Sequence, residues 1–167
     1  MIGLGGLLLV AGVHAADAPL AVVQDLDLSR LAGRWYEIAG IPTFFTKGCT
    51  AGFSSYTPVD AQTFEVLTTC RKGSPSGEEV TSDGTLRVAN GGDPAKLEIQ
   101  YVPFIWGAYW VVEKADDYSY MVAAHPSRDY LWIYSRAPSM DDGLYRDVLG
   151  RLEAVGYDLT DITRTQR

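Results

Sequence analysis

Histidine and cysteine are scarce in this chain. Its 167 residues include two histidines, His14 and His125, and two cysteines, Cys49 and Cys70. So few imidazoles and thiols exclude a His/Cys zinc cluster. There is also no phosphate-cradling glycine loop and no nucleophile elbow. His14 sits in an apolar N-terminal stretch, and His125 precedes Pro126 in a turn. The expectation is a non-enzyme without metal or cofactor, with Glu/Tyr acid–base chemistry on a hydrophobic substrate left as the catalytic alternative. Basic residues are also short, 14 against 21 acidic ones, for a formal charge of -7. No Lys/Arg stripe occurs, so nucleic acid is excluded as a partner and tight adsorption to anionic membranes is disfavoured. Heptads, low-complexity tracts and long linkers are missing too.

No apolar run is long enough to span a bilayer. The stretch Ile2 to Val13 has the length of a signal-peptide core, and Val13-His14-Ala15 supplies small residues for cleavage. A leader over 1–16 and one domain over 17–167 are expected, although no basic residue precedes Arg30. Leu9-Val10-Ala11-Gly12 looks like the start of a lipobox, but Val13 stands where the lipid-bearing cysteine would be. The expected product is soluble and exported, to the periplasm or outside the cell, with association with the outer membrane left open. In an exported chain, an even cysteine count predicts a Cys49–Cys70 disulfide. Strand alternation puts the two on different faces unless a bulge intervenes, so their facing stays unresolved.

What is present is a repeated pattern. Short β-rich runs alternate with turn residues about every ten to fifteen positions, the mark of a sandwich or barrel. The runs are Gly33–Ile41, Cys49–Thr57, Thr63–Cys70, Glu79–Val88, Ala95–Val102, Gly107–Glu113, Tyr118–Ala124 and Tyr130–Arg136. Pro58-Val59-Asp60, Lys72-Gly73-Ser74-Pro75 and Asn90-Gly91-Gly92-Asp93-Pro94 punctuate them. Leu97, Ile99 and Tyr101 alternate with Glu98 and Gln100, giving one apolar and one wet face. The fold class is therefore all-β: an eight-stranded antiparallel up-and-down barrel, which leaves no open edge. The last run is apolar on both faces and needs an outer cover. One helix supplies it, capped by Ser139, with Leu144, Val148, Leu149, Leu152 and Val155 as its apolar stripe and Gly156 as its stop. A short final strand falls within Leu159–Thr165.

Three segments then carry a family resemblance. Gly33-Arg34-Trp35-Tyr36-Glu37-Ile38-Ala39 resembles the first-strand motif of the lipocalins. Ala115-Asp116-Asp117-Tyr118 stands at their middle motif, and Asp129 to Arg136 is similar to their last strand with its arginine. The resemblance covers about residues 28 to 165. Trp-Tyr-Glu-Ile-Ala followed by Ile41-Pro42-Thr43-Phe44-Phe45 is most like the bacterial outer-membrane lipocalins and the apolipoprotein D branch. The Cys49–Cys70 pairing does not follow that branch.

The resemblance implies a small hydrophobic ligand, a fatty acid or lysophospholipid, carried or stored in the barrel, with transient membrane contact. It implies that Arg136 stacks on Trp35 to close the barrel. With Arg136 pointing inward, period two puts Tyr134, Trp132 and Tyr130 on the ligand face. Tyr109, Val111, Leu97, Ile99, Tyr101, Phe64, Val66 and Met121 join them, and Gly52, Ser54, Ala39 and Ala123 leave room. Phe44 and Phe45 form the lid, and Phe104, Ile105 and Trp106 a second apolar rim. Glu37 also falls on the inward phase, as a structural carboxylate or a contact to a ligand head group. The same aromatics also suit a solid core, and a filled barrel acting as a protein-interaction module remains a second alternative.

Overall fold

The computed structural model describes residues 18–44 and 46–167. The expected leader and Phe45 lie outside the described residues. Eight antiparallel strands follow one another: β1 (Gly33–Gly40), β2 (Cys49–Pro58), β3 (Thr63–Lys72), β4 (Glu79–Val88), β5 (Lys96–Val102), β6 (Ile105–Lys114), β7 (Tyr120–Ala124) and β8 (Leu131–Ser135). Each pairs with the next, and β8 returns to β1, so the sheet closes into a barrel. Helix α1 (Asp142–Ala154) follows, and then a two-residue strand β9 (Thr163–Arg164).

Two apolar layers share the wall of β7, β8 and β1. The inner layer includes Trp35, Leu86, Leu97, Val111, Met121 and Tyr134. The outer one joins Ile38, Ala39, Val122, Leu131 and Ile133 to Val148 and Leu152 of α1. This is why β8 is apolar on both faces. The helix is capped by Asp141, not Ser139: its carboxylate accepts from the backbone N–H of Gly143 and Leu144 at 2.8 and 3.0 Å. Val155 is not in the buried stripe; it is 46% exposed, because the helix has ended one residue earlier.

One end of the barrel is sealed. The Arg136 guanidinium lies 3.7 Å from the centre of the fully buried Trp35 ring. It donates to the carbonyls of Arg34 and Arg30, at 2.9 and 2.5 Å. The Trp35 indole donates in turn to Leu31 O at 2.8 Å. Leu31 ends a 3-10 segment, Leu28–Leu31, which crosses this end. Gly33 at φ +96° lets the chain pass from that segment into β1 directly under Arg136. Tyr118 completes the seal: its hydroxyl accepts from Asp27 N at 2.8 Å, and Arg30 lies 4.2 Å from its ring centre.

Two bulges adjust the wall at the other end. The β1–β8 register shifts between Glu37 and Ala39. Ala39 therefore packs outward beneath the helix and does not line the interior as expected. In β2 the register shifts between Thr50 and Phe53, with Ala51 at φ +50°. This shift brings Cys49 onto the face of Cys70, and the two form a disulfide. Two expectations follow for equilibrium denaturation. Trp35→Ala loses about 3–5 kcal/mol, through the emptied volume and the stranded guanidinium. Replacing both cysteines by serine loses about 3 kcal/mol, through the freed loop in the unfolded chain.

Candidate functional site: the barrel interior

Strand register orders the interior above the seal. Phe64, Val66, Leu97, Val111 and Met121, each at most 2% exposed, form a packed floor. Three tyrosines stand opposite them in register: Tyr56 across from Val66, Tyr109 across from Leu97 and Tyr134 across from Met121. The Tyr56 and Tyr109 hydroxyls are 2.7 Å apart. Burial pushes all three phenols well above their ordinary range, so they stay neutral.

The upper level keeps accessible surface on Glu37, Thr68, Ile99, Tyr101 and Trp132. Trp132 stacks on Tyr109 at 5.9 Å between ring centres. The Tyr101 ring lies over Gly84, where a Cβ would come within 2.8 Å of it. Its hydroxyl is 2.7 Å from Thr68 Oγ1, which is 3.0 Å from Ser54 Oγ. Hydroxyls thus line the wall from β5 across to β2, and each has a partner.

Glu37 differs. It pairs in register with Tyr134. Its Oε1 accepts from Thr165 Oγ1 at 3.3 Å, and Oε2 accepts no hydrogen bond among the described residues. Two glycines make its space. A Cβ on Gly52 would lie 3.5 Å from Oε2, and one on Gly40 would lie 3.7 Å from Oε1 and 3.2 Å from Trp132 Cδ1. Burial raises the Glu37 pKa; the Thr165 hydrogen bond and the Arg167 charge offset only part of that. Thr165 and Arg167 reach it because the C-terminal tail runs between β1 and β2 where the two splay apart. Thr165 N donates to Ile38 O at 2.8 Å, and Ala51 N to Gln166 O at 2.8 Å. The Arg167 guanidinium donates to the carbonyls of Glu37 and Gly52, at 2.7 and 2.8 Å.

Of the residues read from sequence as facing a ligand, Trp132, Tyr134, Tyr109, Val111, Leu97, Ile99, Phe64, Val66 and Met121 share one inner cluster. Tyr101 stands above it, in the mouth. Tyr130 does not join them: it precedes β8, is 40% exposed and meets His125 edge-on. The strand begins one residue later than expected, so the alternation that carries Trp132 and Tyr134 inward does not extend to it. Phe44 and Phe104 are 90% and 96% exposed, and Ile105 65%. Trp106 instead lies beneath the Arg87 guanidinium, 3.8 Å from its ring centre. Tyr56, Thr68 and the tail residues were missed. Their signal in β2 is the alternation Gly52, Ser54, Tyr56, hidden because two of the three are small.

A closed antiparallel barrel, sealed at one end and aromatic-lined at the other, defines the class that holds small molecules inside a β-wall. The comparisons agree. The family profile described as "Lipocalin-like domain" matches residues 26–167. Temperature-induced lipocalin-1 of Arabidopsis thaliana is 32% identical over 155 residues, 87% of this chain and 82% of its own length. Apolipoprotein D of Mus musculus is 30% identical over 92% of this chain and 84% of itself. The outer membrane lipoprotein Blc of Escherichia coli is 28% identical over 89% and 83%. Insecticyanin of the tobacco hornworm Manduca sexta superposes with a TM-score of 0.71 at 19% identity, over 90% of this chain and 85% of that one. Lobster apocrustacyanin A1 gives 0.68 at 19%, over 84% and 79%. The chain belongs to the lipocalins, a family that binds small hydrophobic ligands.

The Glu37 shift makes a pH prediction. Its folded pKa lies above its unfolded value, so the native state holds the proton longer. Stability then falls as pH rises from about 4.3 through the folded pKa. Glu37→Gln is expected to be more stable than the parent at pH 7 and no more stable near pH 4, as read by urea unfolding at both pH values.

Proposed function

We propose that this protein is a non-catalytic carrier of a single-chain lipid, a fatty acid or lysophospholipid. In this reading the alkyl chain lies in the upper interior among Trp132, Tyr134, Tyr109, Tyr101 and Ile99, with the floor residues Phe64, Val66, Leu97, Val111 and Met121 beneath. The observation that supports this reading most is the gradient of the interior. Toward the mouth Ile99, Tyr101 and Trp132 keep accessible surface, above the buried Phe64, Val66, Leu97, Val111 and Met121. An alkyl chain buried there contributes roughly 0.8 kcal/mol per methylene, so few polar contacts are required.

The same reading places the protein outside the cytoplasm, with residues 1–16 removed as a leader. The disulfide accords with an oxidising compartment. Its relatives include outer membrane lipoproteins. Among the described residues no helix is long and apolar enough to cross a membrane. The exposed Phe44, Phe104 and Ile105 at the mouth suit brief insertion into a bilayer surface, through which a lipid enters or leaves.

Two outcomes are expected. A fluorescent fatty acid quenches tryptophan emission saturably at one per protein, and Trp132→Ala, still folded by circular dichroism, loses most of that quench. An absence of saturable binding across fatty acids and lysophospholipids sinks the carrier. Separately, the double variant Phe104→Asp, Ile105→Asp slows uptake of the probe from phosphatidylcholine vesicles severalfold while its affinity for free probe is unchanged.

A further inference from the structure

Among the described residues, Glu37 is the carboxyl that stands beside Trp132 and Tyr134 in the upper interior. It is half-buried, and it carries one long hydrogen bond and an Oε2 that accepts none among the described residues. Other hydroxyls of the interior are matched among themselves. Tyr101 bonds Thr68, Thr68 bonds Ser54, and Tyr56 bonds Tyr109. Arg167 is the nearest cation, but its guanidinium is spent on two backbone carbonyls and leans on the outward-facing Tyr36 ring at 5.0 Å. It makes no ion pair with the Glu37 carboxylate within 4.0 Å among the described residues.

Aromatic faces surround the carboxylate. Trp132 is its neighbour across Gly40, Tyr134 is its register partner across β1 and β8, and Tyr101 lies within electrostatic range from β5. The negative faces of these rings and the unpaired carboxylate oxygen favour the same kind of group. An apolar-shelled cation satisfies both, through ring quadrupole and charge together. A carboxylate head group in that place meets like charge in a low-dielectric enclosure. The absence of any side chain on Gly40 and Gly52 keeps the space beside Glu37 clear.

We infer that the upper interior holds a cation-recognising subsite, in which the carboxylate of Glu37 and the ring of Trp132 take the ammonium nitrogen of an amphiphile whose alkyl chain lies against the rest of the interior. This rests on the carrier reading and narrows it: the preferred head group bears a substituted ammonium and not a bare carboxylate.

The test compares three probes of equal chain length on the full-length protein at pH 7, each kept below its micellar concentration: dodecyltrimethylammonium, monododecanoylglycerol and dodecanoate. Binding is read by tryptophan fluorescence and isothermal titration. The cation is expected to bind about tenfold more tightly than the carboxylate, with the neutral probe between them. Glu37→Gln lowers affinity for the cation toward that of the neutral probe and raises affinity for dodecanoate. Trp132→Leu, which keeps an apolar side chain, weakens the cation more than the neutral probe. Equal binding of all three, or a preference for dodecanoate, overturns the subsite and leaves the carrier standing. A cation preference that survives Glu37→Gln also overturns it, by assigning the selectivity to the acidic surface. Binding of none of the three removes both readings.

Discussion

The stack of Arg136 on Trp35 holds three parts of the chain in one place. The guanidinium is planar and permanently charged, so it covers the indole face while its edge donates to carbonyls from the 3-10 segment and from β1. The arginine itself follows β8, the last strand of the barrel. First strand, last strand and closing segment are thus tied through a single side chain. The two hydrogen bonds to the carbonyls of Arg30 and Arg34 fix the plane of the guanidinium over the indole. A lysine there would supply the charge but neither the plane nor the fork.

Because that end is sealed, the interior has a direction. Aliphatic groups and neutral phenols fill the bottom, and mixed rings with the Glu37 carboxylate the top. Each level is set by strand position: a side chain two residues farther along a strand sits one level up or down. Polarity rises toward the mouth for a physical reason. A lone hydroxyl buried beside the floor would lack a partner, whereas hydroxyls higher up find them across the sheet, as Thr68 does with Ser54 on one side and Tyr101 on the other.

Strand order was legible in the sequence because period-two alternation and turn residues are local signals, while the closing pair and the inward-facing set were read from the resemblance of three segments to a known family. The bounds of β4 were read correctly from Glu79 to Val88. The departures come from backbone events that no side-chain pattern announces. The bulge after Glu37 turned Ala39 outward, and the bulge at Ala51 settled the facing of Cys49. Asp141 displaced Ser139 as helix cap because the chain leaves the extended conformation two residues later than its composition suggests. The role of residues 163–167 was invisible for another reason. Thr165 and Arg167 are unremarkable alone, and their meaning comes from Glu37 and Gly52, far away in the chain.

The tail between β1 and β2 has a consequence for how the molecule is made. Gln166 is bonded to Thr50, with a sequence separation of 116 residues, and Arg167 to Glu37, with one of 130. The wall beside the first strand therefore stays incomplete until residues at the far end of the chain have emerged. Loop closure over such distances is slow, so this part of the wall is completed late in folding. Until then the apolar inner face beside the first strand stays open to water.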